Sequence, residues 1–169
     1  DVKPDLSSLR TGMISGAVCP DSLLPWYEEQ IGCRLLNSYG TTEIAAVTMC
    51  DYDDSKEIRY KTCGRAFPYL SLQITDSNGR AVPAGEEGEI YCKTPCLMEG
   101  YVSEPELTAS VLDENRSLKT GDLGKLEEDG SLLFIGRKKD MIVRSGYNVF
   151  PAEVENMLLE SGLVSEACV

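Results

Sequence analysis

The sequence has 169 residues, 42% hydrophobic and 26% charged, the balance of a folded globular chain. A formal net charge of −12 repels polyanions and excludes a duplex-binding surface built on clustered lysine and arginine. No apolar run reaches the roughly 18 residues of a membrane span, and no segment reads as a secretory leader.

Residues 1–10 are polar and read as a loop. Met13 to Ala17 is predicted as a short strand stopped by Pro20. A helix follows over Asp21 to Ile31, with Leu23, Trp26, Tyr27 and Ile31 at helical spacing and Gly32 as the stop. Pro25 fits that helix only in its first turn, because proline lacks an N–H. Arg34 to Tyr39 reads as the next strand, so the first third alternates strand, helix and strand in the manner of an α/β layer. From about 58 to 136 strands dominate. Leu70, Leu72 and Ile74 alternate with polar residues, Asp76 to Gly79 and Pro83 to Gly85 are turns, and Glu89 to Lys93 is a strand. Pro105 to Leu112 suits a short helix. Leu123–Leu126 and Leu132–Ile135 flank Glu127–Gly130 as a hairpin, and the whole stretch suggests a small sheet or barrel. At the end, Met141–Arg144 is predicted as a strand broken at Gly146, Pro151 opens a helix that stops at Gly162, and Val164–Val169 reads as a strand cut short.

Charge is unevenly spread. Acid gathers at 51–54, 86–89 and 127–129, which read as solvated loops. Base gathers at Arg137, Lys138, Lys139 and Arg144, a cluster able to meet a smaller anion such as a nucleotide. The seven cysteines are odd in number and form no CxxC pair, and there is no histidine to complete a Cys/His metal site. They read as reduced, mostly buried thiols of a cytoplasmic protein. The missing histidine also excludes any Ser-His-Asp or Cys-His scheme within the chain.

Three segments carry candidate chemistry. Asn37 to Glu43 ends a strand and turns at Gly40, which offers hydroxyls to phosphate, Glu43 to a divalent cation and the flat face of Tyr39 to a base. Alone, it also reads as a strand followed by a Thr-capped helix. Thr120 to Gly124 sets Asp122 after a glycine turn, where a carboxylate can accept two ribose hydroxyls; alone it is a turn. Gly136 to Glu155 packs charge between an apolar strand and an apolar helix, as a linker or a hinge.

In this order and at these distances, the three segments resemble the adenylate-forming superfamily of acyl-CoA synthetases, aryl-CoA ligases, luciferases and peptide-synthetase adenylation domains. Cys63 to Pro68, Val82 to Ile90 and Gly100-Tyr101 fall in the same register, so the resemblance spans nearly the whole chain. The wording from Arg137 to Glu155 is most similar to AMP-forming acyl-CoA synthetases.

The resemblance implies an acid:CoA ligase that uses ATP, Mg2+ and coenzyme A to activate a carboxylic acid. It implies that Gly16 and Ala17 line the adenine and acyl side of the pocket, with Gly40 and Thr41 in the nucleotide-binding turn. Tyr39 would stack on adenine, Thr42 touch phosphate and Glu43 bind magnesium. Asp122 would hold the ribose hydroxyls, with Arg137 reaching the same ribose. Lys139 would serve the reaction as the hinge of a swinging lid, and Gly146 would face the thioester half-reaction. The implied layout is the end of a large α/β subdomain over 1–57, a β-barrel-like subdomain over 58–136, a hinge at 137–140 and the start of a small α+β lid over 141–169.

Two family features are expected outside these residues: a Gly- and Ser/Thr-rich phosphate loop upstream and the catalytic lysine of the lid downstream. The aromatic residue usual before the Thr120-Gly121-Asp122 segment is replaced by Arg116-Ser117-Leu118. The chain is therefore expected to be a fragment, inactive alone and prone to self-association through exposed edges. The alternatives are an adenylation domain that loads a carrier protein and a non-catalytic module of the same fold.

Overall fold

The computed structural model describes residues 4–20 and 22–169. The first unit is strand, helix, strand. β1 (Thr11–Ile14) and β2 (Arg34–Thr41) pair in parallel, from Thr11 opposite Arg34 to Ile14 opposite Asn37. The crossover between them is α1 (Leu23–Ile31), as a parallel pair requires. Pro25 falls in its first turn, and Gly32 closes it in the left-handed region at φ 72°, donating to the Glu28 carbonyl at 3.2 Å. The predicted helix start at Asp21 lies outside the described residues, as do residues 1–3 of the N-terminal loop. Burial on α1 centres on Leu24, whereas Trp26, counted in the apolar set, is 51% exposed.

β3 (Ala45–Met49) folds back antiparallel on β2, and β4 (Arg65–Ala66) pairs with β3, giving the order β1-β2-β3-β4. Between them, α2 (Lys56–Lys61) is capped by the Ser55 side chain, which accepts from the Ile58 N–H at 3.3 Å.

The second sheet is antiparallel in the order β5 (Ser71–Thr75), β6 (Glu87–Lys93), β7 (Leu118–Leu126), β8 (Leu132–Arg137). α3 (Pro105–Val111) lies in the β6–β7 connection. The barrel-like expectation resolves into an open sheet that does not close. β7 begins earlier than predicted, so Thr120-Gly121-Asp122 lies inside a strand, with Gly121 at φ 73°.

A main-chain seam joins the two sheets. Cys63 N–H donates to the Leu132 carbonyl at 2.7 Å, Leu132 N–H donates to the Gly64 carbonyl at 2.8 Å, and Arg65 bridges Ser131. Gly64 has φ 71°, and a Cβ there would lie 2.1 Å from the Met49 carbonyl, so only glycine lets the strands approach. One core spans the seam: Tyr39, Ile44, Val47 and Cys63 pack with Ile74, Ile90, Cys92, Leu118 and Leu132. Burial pushes the thiols of Cys50, Cys63 and Cys92 up to about 11, 12 and 11. Among the described residues no cysteine forms a disulfide.

A short 3-10 turn (Lys138–Asp140) leads into β9 (Ile142–Arg144), β10 (Tyr147–Val149) and α4 (Pro151–Glu160). β9 and β10 form a hairpin whose two loop residues, Ser145 and Gly146, have φ 53° and 82°, the signs a tight type I′ turn needs. The strand predicted at Val164–Val169 does not form, and its residues have no sheet partner. Among the described residues no helix is long and apolar enough to cross a membrane.

Candidate nucleotide-binding site

The C-terminal end of β2 carries the first group of candidates. Gly40 lets β3 return at once: a Cβ there would lie 2.2 Å from the Ala45 carbonyl oxygen. The chain turns through Thr42, Glu43 and Ile44, with Ala45 at φ 59°, and no helix follows. The Thr-capped-helix alternative therefore gives way to a tight β2–β3 connection. Thr42 is exposed on that connection. Thr41 Oγ1 is buried and makes no hydrogen bond of proper geometry, although it lies close enough to Glu43 to favour the charged carboxylate.

Tyr39 reaches from the first sheet to the second. It is 7% exposed, its ring packs on Phe134 with centroids 5.6 Å apart, and its phenol donates to Asp122 Oδ2 at 2.7 Å. Asp122 is 5% exposed and stands opposite Arg137 in the β7–β8 register. Arg137 Nε is 3.7 Å from Asp122 Oδ1, and that guanidinium side chain is 57% exposed. The Asp122 N–H donates to Thr120 Oγ1 at 3.1 Å, which orders the strand at Gly121.

The two carboxyls differ in their titration. Burial pushes the Asp122 carboxyl above its ordinary value despite the Tyr39 hydrogen bond and the Arg137 charge, and the negative charges of Glu43 and Asp140 add to the rise. Burial also raises Glu43, but the Tyr101 hydrogen bond, Thr41, its own backbone and the Arg137 charge together hold it below the usual range. Burial, then the Asp122 charge, pushes the Tyr39 phenol far up, so it is a hydrogen-bond donor at any physiological pH. The site thus holds an ionised carboxylate near its mouth and a shielded one behind it.

Glu43 is tied on two sides. Tyr101 donates to Glu43 Oε1 at 2.8 Å, and Met98 N–H donates to the Glu43 carbonyl at 2.8 Å. A hard cation takes oxygen ligands, and an ionised carboxylate beside an unpartnered hydroxyl suits one. Among the described residues no group of three or more acidic, cysteine or histidine side chains could hold a metal by itself, so further ligands would come from phosphate or water.

The fold therefore gathers Tyr39, Gly40, Thr41, Thr42, Glu43, Asp122 and Arg137 at the junction of the two sheets. Gly16 and Ala17 lie on an exposed loop just past β1, which exits at the same end of the sheet as β2 because the strands are parallel. Lys139 is exposed in the 3-10 turn, beside Lys138, which bridges Glu89 at 3.0 Å. Gly146 lies in the β9–β10 turn, with open space where a Cβ would stand. An open groove of about 530 Å³ beside Asp76, Lys119 and Lys138 contains none of the clustered ionisable groups Tyr39, Glu43, Asp122 or Arg137. Perturbed titration within a cluster is the stronger mark of a site than hollow volume.

Sequence reasoning did not single out Phe134, nor Thr120 and Tyr101 beyond their places in the Thr120–Gly124 segment and the Gly100-Tyr101 pair. Each makes a contact that exists only in the folded chain, Thr120 by donating to the Ile90 carbonyl at 2.8 Å. Their one prior signal is a polar or aromatic side chain at a strand or loop position next to a candidate segment.

Residues 1–102 match the family model of the AMP-binding enzyme. The chain belongs to the AMP-binding enzyme family. It is 38% identical over 168 residues, 99% of the chain, to a methyl-dioxo-octahydroindenyl-propanoyl:CoA ligase of Rhodococcus jostii, of which it covers 31%. It is 36% identical over 165 residues, 98% of the chain, to the medium-chain fatty-acid–CoA ligase of Escherichia coli, of which it covers 29%. The O-succinylbenzoate coenzyme A synthetase of Bacillus subtilis, solved with ATP and magnesium, matches with a TM-score of 0.85 and 32% identity over 99% of this chain and 34% of that one. The amide bond synthetase of Marinactinospora thermotolerans matches at 0.84 and 36% over 96% of this chain and 33% of that one. The chain thus spans about a third of the length of these relatives.

Proposed function

We propose that these residues form the nucleotide-facing part of an AMP-forming acid:CoA ligase, and the convergence of Tyr39, Glu43, Asp122 and Arg137 at the sheet junction carries that reading. The intact enzyme would join a carboxylic acid to AMP with release of pyrophosphate, then pass the acyl group to the thiol of coenzyme A. Asp122 has one oxygen on Tyr39 and one facing Arg137, and its remaining lone pairs suit the ribose hydroxyls. Arg137, opposite it and exposed, would reach the same sugar, while Tyr39 would flank the base and Gly16 and Ala17 would border it from the β1 loop. Thr41 and Thr42 offer hydroxyls to phosphate at the β2–β3 turn. Mg2+, held by Glu43, would neutralise charge on the phosphates.

The exposed 3-10 turn with Lys139, followed by the β9–β10 hairpin with Gly146, suits a hinge and the start of a moving lid. The curated relatives above are CoA ligases, one of them acting on medium-chain fatty acids, which favours fatty-acid metabolism as the setting. Buried, unactivated thiols agree with a cytoplasmic location. Met157 and Leu158 are exposed on α4 and supply an apolar face for self-association of the isolated chain.

The test is an assay of the full-length enzyme with a panel of carboxylic acids, ATP and Mg2+, reading pyrophosphate release and thioester formation. Acid-dependent pyrophosphate release followed by an acyl-CoA product supports the reading; no acid-dependent release overturns it. The likeness to an amide bond synthetase favours a second reading, in which the acceptor is an amine. Amide formation without thioester in the same assay would select it.

A further inference from the structure

We propose that Tyr101 is a positioning residue that holds Glu43 so that its second carboxylate oxygen is free for a divalent cation. This rests on the reading of Glu43 as the cation ligand. A glutamate has enough rotamer freedom that ordering it costs up to about 2 kcal/mol, and here that order exists before any ligand arrives. Tyr101 takes Oε1 at 2.8 Å, Met98 N–H fixes the Glu43 main chain at 2.8 Å, and the Thr41 hydroxyl and the Glu43 backbone add weaker contacts to the carboxylate.

Tyr101 is itself fixed. Its N–H donates to Thr108 Oγ1 at 2.9 Å, and that hydroxyl donates onward to the carbonyl of Glu104, the N-cap of α3, at 2.9 Å. Gly100 lets this segment lie against the helix, since a Cβ there would come 2.9 Å from Thr108 Cγ2. The Tyr101 phenol thus links the Glu43 side chain to α3.

The nature of the donor matters. A lysine or arginine at 101 would orient the carboxylate equally well, but its positive charge would cancel that of Glu43 and repel the cation. A phenol orients Glu43 and leaves the full negative charge for the metal. Arg137 lies within electrostatic reach of Glu43, so an unbraced Glu43 has a competing cation to turn toward.

The experiment uses the full-length enzyme and its Tyr101→Phe and Glu43→Gln variants. Calorimetry measures the affinity of a non-hydrolysable ATP analogue with and without Mn2+, and electron paramagnetic resonance measures bound Mn2+ in the same complexes. Tyr101→Phe keeps the ring and removes only the donor. Loss of such a partner behind a metal ligand costs about tenfold in metal affinity, so the tightening of the analogue by Mn2+ should fall about tenfold while its metal-free affinity stays unchanged. Tightening within twofold of the parent in Tyr101→Phe, with Glu43→Gln having lost it, overturns the role of Tyr101 alone. Full tightening in Glu43→Gln overturns the reading of Glu43 itself, and the brace with it. An equal loss of the analogue's metal-free affinity in Tyr101→Phe shows general damage and also overturns the proposal.

Discussion

Tyr39 and Asp122 are 83 residues apart in sequence and 2.7 Å apart in space, and they lie on different sheets. One hydrogen bond between two nearly inaccessible side chains therefore reports on whether the two sheets are docked. Tyr39→Phe removes a donor from a shielded carboxylate, and hydrogen bonds to charged groups are worth about 1.5–3 kcal/mol. Urea unfolding should show a loss in that range. The double variant with Asp122→Asn should lose less than the sum of the two single changes, because one contact is shared.

Asp122 also predicts a pH dependence. Its folded-state pKa lies above the ordinary value of 3.8, so between those two values the folded chain keeps a proton that the unfolded chain has released. The contribution of this group is fully present below the ordinary value and is lost as pH rises through the folded one. Asp122→Asn removes that slope. Melting temperatures across pH 4 to 7, a range of about three units chosen around carboxylate titration, should show the variant gaining on the parent as pH rises. At neutral pH the variant should be at least as stable, and on the proposed role of Asp122 at the ribose the full-length enzyme should bind AMP about tenfold or more weakly.

Two arginines make a contrast. Arg59 is 2% exposed and pairs with Glu28, which also accepts from the Tyr60 phenol at 2.7 Å. The Arg65 side chain is 41% exposed and bridges Asp54 at 2.7 Å and Asp129 at 2.6 Å. Arg59→Met strands a shielded carboxylate and should cost about 3–5 kcal/mol. Arg65→Met should cost less, about 1–2 kcal/mol, and lose part of that effect in high salt, because the Asp129 pair is exposed on both sides and screened while only the Asp54 carboxylate is shielded. Denaturation at low and high ionic strength separates them.

Gly64→Ala should prevent folding. The new Cβ meets the Met49 carbonyl and the Cys50 nitrogen at 2.1 Å while the backbone sits at φ 71°. Gly130→Ala carries a similar positive φ of 82° but meets nothing within 4 Å, so it should cost only about 1 kcal/mol of backbone strain. Circular dichroism of the two variants tests the difference.

Much of this fold was legible where one periodicity ruled. Leu70, Leu72 and Ile74 gave β5, and Gly32 and Pro25 bounded α1. β3 escaped because its exposure runs in blocks and does not alternate. α2 escaped because it has six residues and its one buried side chain is an arginine, so no apolar stripe exists. Trp26 misled because apolarity at the right spacing does not say which side of a helix meets a neighbour. The candidate site was legible only as ordered segments. The pairing of Tyr39 with Asp122, and of Tyr101 with Glu43, follows from tertiary contact and leaves no mark on local pattern.

The seam at Cys63, Gly64 and Leu132 is made of amide and carbonyl groups that every residue except proline supplies in full. The bonds themselves are indifferent to side-chain identity, whereas the side chains beside them are mostly buried. A saturation library across residues 62–66 and 130–133 should therefore be permissive at the exposed Ala66, intolerant at Gly64, closed to proline where an N–H donates, and limited by volume and hydrogen bonding at the buried Thr62, Cys63, Ser131 and Leu132. The angle between the sheets that carry Tyr39 and Asp122 is thus set by a main-chain ladder and guarded by the few side chains packed around it.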